Sequence, residues 1–131
     1  MDIKEFAQKF IEAEEAAFQR GEFEELEQIE SPDVVIHLQP PITIGAGFEG
    51  HKQYIINARQ NNTISQEFEY LVGDGNVCAI SLAETITLGM ENPAMSLTAG
   101  ATIVVDALMV LRLENERVAE IWIKGSFAPR S

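Results

Sequence analysis

Glu14 places a carboxylate in the apolar stripe of the first predicted helix. Residues 2–20 repeat apolar side chains at the i, i+3, i+4, i+7 spacing of an amphipathic helix, and Glu14 lies four positions from both Phe10 and Phe18. A carboxylate there is either desolvated, at a cost of several kcal/mol, or lines a polar cavity. We interpret Glu14 as a cavity residue. The alternative is a structural role in which a buried Arg or His pairs with it.

Glu84 interrupts the apolar face of a predicted strand in the same way. Over residues 77–90 the even positions carry the apolar side chains and should face the protein interior. If Glu14 and Glu84 share one apolar cup, desolvation and mutual repulsion raise both pKa values. One carboxyl then stays protonated near neutral pH, and the pair supplies an acid and a base for enolisation, dehydration or water activation. The alternatives are different heights in the cup, or pairing of one carboxylate with His37 or Arg59.

His37 is the third candidate catalytic residue. Strict alternation along the predicted strand puts Val34 and Ile36 on the inner face, which turns His37 outwards. A bulge before the proline- and glycine-containing loop at residues 39–48 would turn it inwards. Without such a bulge, His37 is a structural histidine.

The other reactive residue types predict little chemistry. His51 follows the start of a predicted helix and is expected to be exposed. With no acid at ligand spacing to either histidine, we expect no metal site and no cofactor. Cys78 has no basic neighbour in sequence to lower its pKa, which argues against a nucleophilic role. The acidic run at residues 22–30 is interpreted as a solvated helix face.

Bulk properties limit the partners. The 131 residues predict a single domain over positions 1–131, with a formal net charge of −12 at pH 7. Residues 1–33 hold eleven acidic and three basic side chains, which argues against nucleic acid or an anionic membrane as partner. No apolar run approaches the roughly 20 residues of a membrane span. The N-terminus does not resemble a signal peptide, and together with a single cysteine this predicts a cytoplasmic protein.

The periodicity predicts an α+β fold. Helices are expected over residues 2–20, 22–29 and 50–61, and strands over 34–38, 64–72, 77–90, 100–113 and 117–127. The turn at residues 73–76 is a strong hairpin signal. Three helices packed on one face of a strongly curved antiparallel sheet would enclose a cup-shaped pocket.

The sequence also resembles a known group of proteins. The matching segments cover nearly the whole chain and are Arg20-Gly21-Glu22, residues 32–37, residues 50–54, Gly73-Asp74-Gly75, Leu111-Arg112-Leu113 and residues 118–122. In these segments the chain resembles the NTF2-like (cystatin-like α+β cone) superfamily and, within it, the SnoaL-like or ester cyclase-like group. The resemblance implies a deep apolar cup between the helices and the concave face of the sheet.

The resemblance also restricts the activity. The catalytic positions of the steroid isomerases in this superfamily correspond to Glu14, Leu38 and the vicinity of Met109, and none of their residue types is retained. Steroid isomerase activity is therefore not expected. The polyketide cyclases of the group carry a catalytic aspartate towards the C-terminus, and residues 123–126 offer no acid there.

These features predict a SnoaL-like protein that handles a small apolar molecule. The enzyme hypothesis is acid–base chemistry of the isomerase, cyclase, dehydratase or hydrolase type on a carbonyl-bearing substrate. The alternatives are a cup that binds an apolar ligand without chemistry, and a structural homodimer module. The expected pocket-lining residues are Phe10, Phe18, Leu38, Tyr54, Leu82, Met109 and Ile121.

The outer face of the sheet predicts a homodimer. A tight turn at residues 114–116 would pair Met109 with Ile121 on the inner face. The same register would put Asp106 opposite Lys124 on the outer face, as a cross-strand ion pair. Three outward apolar side chains form a patch that no helix covers, and such a patch is typical of an interface. They are Leu108, Val110 and Trp122.

Overall fold

The structure is a computed structural model that describes residues 2–40 and 42–130. Its helices are α1 (Ile3–Glu15, continued by a π-helical turn, Ala16–Arg20), α2 (Glu24–Ile29) and α3 (Gly47–Asn61). Its strands are β1 (Glu30–His37), β2 (Asn62–Asp74), β3 (Val77–Leu88), β4 (Thr102–Glu114) and β5 (Arg117–Pro129). A short 3-10 turn, Pro93–Met95, lies between β3 and β4. Pro41, in the predicted loop, lies outside the described residues.

Helix α1 begins and ends at residues suited to those positions. The side chain of Asp2 accepts a hydrogen bond from the backbone N–H of Lys4 at 3.0 Å, which caps the first turn. The helix widens into its π-helical turn and stops at Gly21, whose φ of +69° is the left-handed conformation that favours glycine. The predicted helix over residues 2–20 is therefore present. Its apolar stripe packs into the core with Glu14 inside it.

The segment between α2 and α3 differs most from expectation. Strand β1 starts at Glu30, directly after α2, and continues through Ser31 and Pro32. Helix α3 starts at Gly47, three residues before the predicted start. Gly50 makes this possible, because a Cβ at that position would lie 2.0 Å from the carbonyl oxygen of Gly45. His51 consequently lies more than a turn inside the helix.

The five strands form a curled, unclosed sheet in the order β1-β5-β4-β3-β2. The neighbours from β2 to β5 are antiparallel, whereas β1 pairs in parallel with β5, as in Val35 opposite Glu120. The helices cover one face, and the core lies between them and the sheet. The predicted α+β fold is confirmed, with a parallel first strand at the edge. Among the described residues, no helix is long and apolar enough to cross a bilayer.

The predicted register of the last hairpin is wrong by two residues. Met109 lies opposite Ile123 rather than Ile121, and Asp106 lies opposite Ser126. One residue of the shift comes from the turn, where Glu114 pairs with Arg117, and the other from a bulge beside Leu113, where Ala119 is the extra residue on β5. The expected ion pair between Asp106 and Lys124 is therefore not formed.

Beyond the bulge, a shift of two residues keeps the side chains of β4 and β5 on their predicted faces. Met109 and Ile121 are buried on the inner face, and Trp122 lies opposite Val110 on the outer one. The curvature of the sheet thus directs the same inner side chains towards the helices as the sequence pattern predicts.

Candidate functional site

Three ionisable side chains meet in the core, each from a different element. Glu14 comes from α1, Glu30 from the start of β1, and His51 from α3. Their exposed fractions are 3%, 0% and 6%. We call these three residues the buried triad. Ionisable groups are rarely buried to this extent unless they are paired, so their mutual geometry decides what they do.

His51 lies between the two carboxylates. Its Nδ1 is 2.9 Å from both oxygens of Glu30, and the contact with Oε1 has hydrogen-bond geometry. A carboxylate oxygen only accepts, so Nδ1 carries the proton of this bond. On the other side of the ring, Nε2 is 3.6 Å from Oε1 of Glu14, a separation typical of an ion pair. Oε2 of Glu30 is buried without a hydrogen-bond partner.

Burial controls the charge of the triad. Desolvation raises the pKa of Glu14 from 4.5 to about 7; the charge of His51 opposes this rise, and the charges of Glu30 and Glu84 add to it. Burial alone would lower the pKa of His51. The charge of Glu14, together with the hydrogen bond and charge of Glu30, outweighs burial and raises that pKa above its usual 6.5. Near neutral pH the triad therefore holds protons that both Glu14 and His51 can exchange.

Glu84 and Tyr54 extend this polar cluster across the cup. Glu84 accepts a hydrogen bond from Nε2 of Gln66 at 2.9 Å, yet desolvation still raises its pKa. Burial and the charges of Glu84 and Glu14 raise the pKa of Tyr54 to about 12. The Tyr54 phenol thus remains an O–H donor on which the charges of both carboxyl groups act.

Two members of the triad were missed by the sequence reasoning, which expected both to be exposed. His51 is buried because α3 starts earlier than predicted, which moves residue 51 from the helix start to its inner face. Glu30 was grouped with the solvated acidic run, but it is the first residue of β1 and points inwards. The sequence does not distinguish Glu30 from its exposed acidic neighbours, because residues 30–33 show no alternation of apolar and polar side chains.

His37 lies on the opposite side of the sheet from the triad. Its Nε2 is 2.6 Å from Oε2 of Glu120, and its ring stacks on Trp122 with centroids 5.3 Å apart. Glu120 also accepts a hydrogen bond from Arg112 at 3.2 Å, and the bond from His37 is the main cause of its lowered pKa. The bulge in β1 lies before Val35 and does not turn His37 inwards. The structure therefore separates His37 from Glu14 and Glu84.

An apolar cavity of about 370 Å³ opens at the end of the cup. Its lining consists mainly of apolar side chains from β4, β5 and the segment after β1, and includes Leu38, Pro40, Ile42, Ala107, Ile123 and Phe127. On the inner face, Val105 of β4 lies between Glu84 of β3 and Phe127 of β5. Ala107 is a diagonal neighbour of Glu84, at roughly 7–8 Å between Cα atoms. The cavity therefore lies on the same face of the sheet as Glu84, although Glu84 is not among its lining residues.

The remaining predicted lining residues lie deeper in the protein. Phe10, Met109 and Ile121 are at most 3% exposed, and they pack into the core with Leu82. Phe18 and Tyr54 are half-buried against this core. Leu38 is the predicted residue that lines the cavity.

A larger groove of about 540 Å³ lies outside the cup. It runs between α1, α2 and the β4–β5 turn, and its lining includes Phe6, Ile29 and Leu113. Glu14, Glu84 and Tyr54 line neither this groove nor the smaller cavity. We assign the chemistry to the smaller cavity because it lies on the inner face of the sheet, where Ala107 is two residues along β4 from the partner of Glu84.

The triad could also be considered as a metal centre. One donor atom from each residue lies within 4.8 Å of the others, a set that can hold a divalent cation. Both ring nitrogens of His51 already face carboxylates, so the protonated imidazole supplies the positive charge between them. The arrangement favours a proton-sharing cluster.

Burial raises the pKa of Cys78 to about 11, so its thiol stays protonated.

Solved structures share this fold. TsrD from Streptomyces laurentii is 19% identical, with a TM-score of 0.77 over 96% of this chain and 91% of that chain. A Mesorhizobium loti protein assigned as a SnoaL-like polyketide cyclase is 18% identical, with a TM-score of 0.71 over 95% and 99%. SalBIII, an epoxide hydrolase/cyclase-like enzyme of pyran ring formation in the polyether salinomycin, is 13% identical, with a TM-score of 0.72 over 98% of each chain.

These likenesses agree with the resemblance in the sequence. The structure is an NTF2-like cone, and its neighbours are SnoaL-like proteins and proteins related to epoxide hydrolases. At such identities the likeness shows the fold, and function has to be argued from the site. No protein-family model matches the chain, and the comparison with curated proteins gave no match.

Proposed function

We propose that this chain binds a small apolar, carbonyl-bearing molecule in its cup and acts on it by general acid–base catalysis. The observation that carries the proposal is the interior cluster of Glu14, Glu84 and Tyr54, with both carboxyl pKa values raised, in a protein whose sheet also bears an apolar cavity on its inner face. A general base or acid works best when its pKa lies near the working pH. Glu14, with a pKa of about 7, meets that condition.

The cluster contains both partners of a proton transfer. In an enolisation, a carboxylate takes the proton from the carbon next to the carbonyl, and the C–H electron pair becomes the enolate C=C bond. A neutral O–H group then stabilises the developing charge on the carbonyl oxygen. Tyr54 supplies such a donor, because its pKa of about 12 keeps the phenol protonated. We assign the base to the carboxylate of Glu14 or Glu84, whichever is ionised.

The cavity supports the choice of ligand class. A volume of about 370 Å³ falls within the roughly 300–1,000 Å³ of small-molecule sites. Its walls are apolar, and Gln39, whose side-chain oxygen accepts a hydrogen bond from the N–H of Gly125, is the polar residue at its rim. A compact ring ketone matches this combination of shape and polarity. SalBIII, which shares the fold, has a role in pyran ring formation.

A second candidate function is binding without chemistry. The close packing of Phe10, Met109 and Ile121 favours it, since the deep end of the expected cup is filled by side chains. In that case a ligand occupies the cavity at Ala107 and Ile123 without reaching Glu14. The two functions differ in a single measurable step, the exchange of a proton on the ligand.

Proton exchange on 2-tetralone, a fused-ring ketone, tests the proposal. In D₂O the enzyme should accelerate exchange of the α-protons over buffer alone, followed by NMR. Glu14→Gln and Glu84→Gln should each slow the catalysed exchange at least about 100-fold. Glu67→Gln, an isosteric change on the exposed face of β2, is the matched control and should leave the rate unchanged.

One outcome would count against catalysis, and another against the two carboxylates as its acid and base. Binding of 2-tetralone without accelerated exchange would favour the non-catalytic cup. Exchange that is equally fast in all four proteins would remove the two carboxylates from the mechanism.

We also propose that the chain forms a homodimer through the outer sheet face. Leu108 is 43% exposed there, beside half-buried Val110 and Trp122. The charged side chains of Arg112 and Glu120 lie at the edge of this patch. Apolar anchors with a polar rim are typical of protein interfaces.

The cytoplasmic location expected from the sequence remains a prediction.

A further inference from the structure

We propose that His51 and Glu30 are positioning residues that hold and resupply the proton exchanged by Glu14. This relay rests on the proposed acid–base function and adds two residues to it. The geometry that supports it is a ring with one nitrogen 2.9 Å from Glu30 and the other 3.6 Å from Glu14. All three residues are at least nine-tenths buried.

Glu30 fixes the orientation of the imidazole. Its carboxylate is fully buried, and its hydrogen bond goes to Nδ1 of His51. That bond keeps the proton on Nδ1 and leaves Nε2 facing Glu14. Removing the carboxylate would free the ring to rotate and would leave either nitrogen able to carry the proton. Orientation and tautomer of His51 are therefore both set by Glu30.

The proton transfer itself is a simple exchange between His51 and Glu14. When Glu14 gives its proton to a ligand, the N–H bond at Nε2 breaks and a new O–H bond forms on Glu14. The electron pair stays on Nε2, and the ring becomes neutral with its proton on Nδ1. Since 3.6 Å is longer than a hydrogen bond, a small rotation of Glu14 towards the ring precedes this step.

The charges around the ring favour a shared proton over a fixed ion pair. Glu14 faces His51 from α1 and Glu30 faces it from β1, while the charge of Glu84 of β3 acts on Glu14, and that of Glu14 acts on Tyr54 of α3. One imidazolium between two carboxylates leaves an excess negative charge in the core. A further proton neutralises it, so a proton shared within the cluster fits these charges better than a fixed ion pair does.

Histidine NMR tests the relay without any ligand. The chain has two histidines, and His37 on the outer face serves as an internal reference. In the wild type, the Cε1–H signal of His51 should show two coupled inflections, one of them near pH 7, where Glu14 titrates. Glu14→Gln should remove the second inflection, and Glu30→Gln should move the His51 titration to lower pH.

The exchange of 2-tetralone gives the functional result. Glu30→Gln should slow exchange roughly tenfold and shift the pH–rate profile, as loss of an orienting partner does. Glu27→Gln, an isosteric change at an exposed position of α2, is the matched control. A Glu30→Gln protein with an unchanged pH–rate profile and lower stability would show that Glu30 is merely structural, and would overturn the relay.

The relay and the proposed function can fail separately. A His51 signal with a single inflection that Glu14→Gln leaves unchanged overturns the relay even if exchange occurs. Coupled titration without any exchange of 2-tetralone supports proton sharing and contradicts the catalytic function alone. If Glu30→Gln does not fold, the wild type and Glu14→Gln still decide the coupling.

Discussion

Nε2 of His51 lies 3.6 Å from Oε1 of Glu14, although one side chain comes from α3 and the other from α1. Glu14 is the candidate that the sequence pattern indicates most clearly, whereas the same pattern predicts that His51 is exposed. Both are buried, and the charge of each acts on the pKa of the other. Several measurable consequences follow from burying these groups together.

Glu14→Gln should stabilise the protein increasingly as pH rises. The folded-state pKa of about 7 lies above the usual 4.5, so the fold disfavours the ionised carboxylate. Gln mimics the protonated form and avoids that cost, which approaches roughly 3 kcal/mol once Glu14 is ionised. Urea unfolding at pH 5 and pH 8 should show little difference from wild type at pH 5 and a more stable variant at pH 8.

Glu12→Gln is the control for this comparison, because Glu12 lies on the exposed side of the same helix. The free energy of unfolding of Glu12→Gln should match that of the wild type at both pH values. A loss of several kcal/mol in Glu14→Gln at pH 8 would instead identify Glu14 as a structural partner of His51.

The wild-type protein should lose stability as pH rises from about 4.5 through 7. Glu14, Glu84 and His51 all have raised pKa values in the folded state, so the native protein binds more protons than the unfolded chain in this range. The free energy of unfolding then falls with increasing pH. The midpoint of thermal unfolding, followed between pH 5 and pH 8, measures this loss of stability. A midpoint that rises steadily over this interval would argue against buried, protonated carboxyls.

Trp122→Ala should weaken self-association by at least about 2 kcal/mol. The indole stacks on His37 at 5.3 Å and lies opposite Val110 at the centre of the proposed interface. Sedimentation at micromolar concentration should show a dimer for wild type and more monomer for the variant. Val72→Ala is the control, since Val72 is exposed on the distant edge strand β2. A wild type that sediments as a monomer would refute this interface.

Ala107→Leu should reduce binding of 2-tetralone by narrowing the cavity. Ala107 lies on the inner face of β4 and lines that space. Each added methylene takes volume that the ligand would occupy, and each is worth about 0.8 kcal/mol of apolar contact. Ala83→Leu makes the same change at an exposed site on β3 and should leave affinity unchanged. Equal affinities in both variants would place the ligand elsewhere, with the groove beside Phe6 and Ile29 the next candidate.

The sequence was sufficient for the fold and for three of the five residues of the polar cluster, Glu14, Glu84 and Tyr54. Glu14 and Glu84 stand out because each breaks a regular apolar pattern, and periodicity is the strongest signal in a single sequence. The faces of β3, β4 and β5 follow from alternation. The register of these strands does not follow from alternation, because the pattern of apolar residues does not predict the bulge beside Leu113.

Glu30 and His51 could not be chosen from the sequence, and the reason is tertiary. Glu30 continues an acidic run, and only the abrupt change from α2 to β1 turns it inwards. His51 is buried because Gly50 lets α3 approach Gly45 and begin early. The burial of both is completed by contacts between distant segments, His51 with Glu30 and His51 with Glu14, about which local preference carries little information.

The pKa of Glu14, measured directly, is the most decisive test of a proton-exchanging carboxyl held in the core. The side-chain carboxyl carbon signal of Glu14, identified by its absence in Glu14→Gln, should titrate near pH 7 in the folded protein. Titration near the usual 4.5 would mean that Glu14 is solvated or firmly ion-paired. That result would contradict both the acid–base site and the relay built on it.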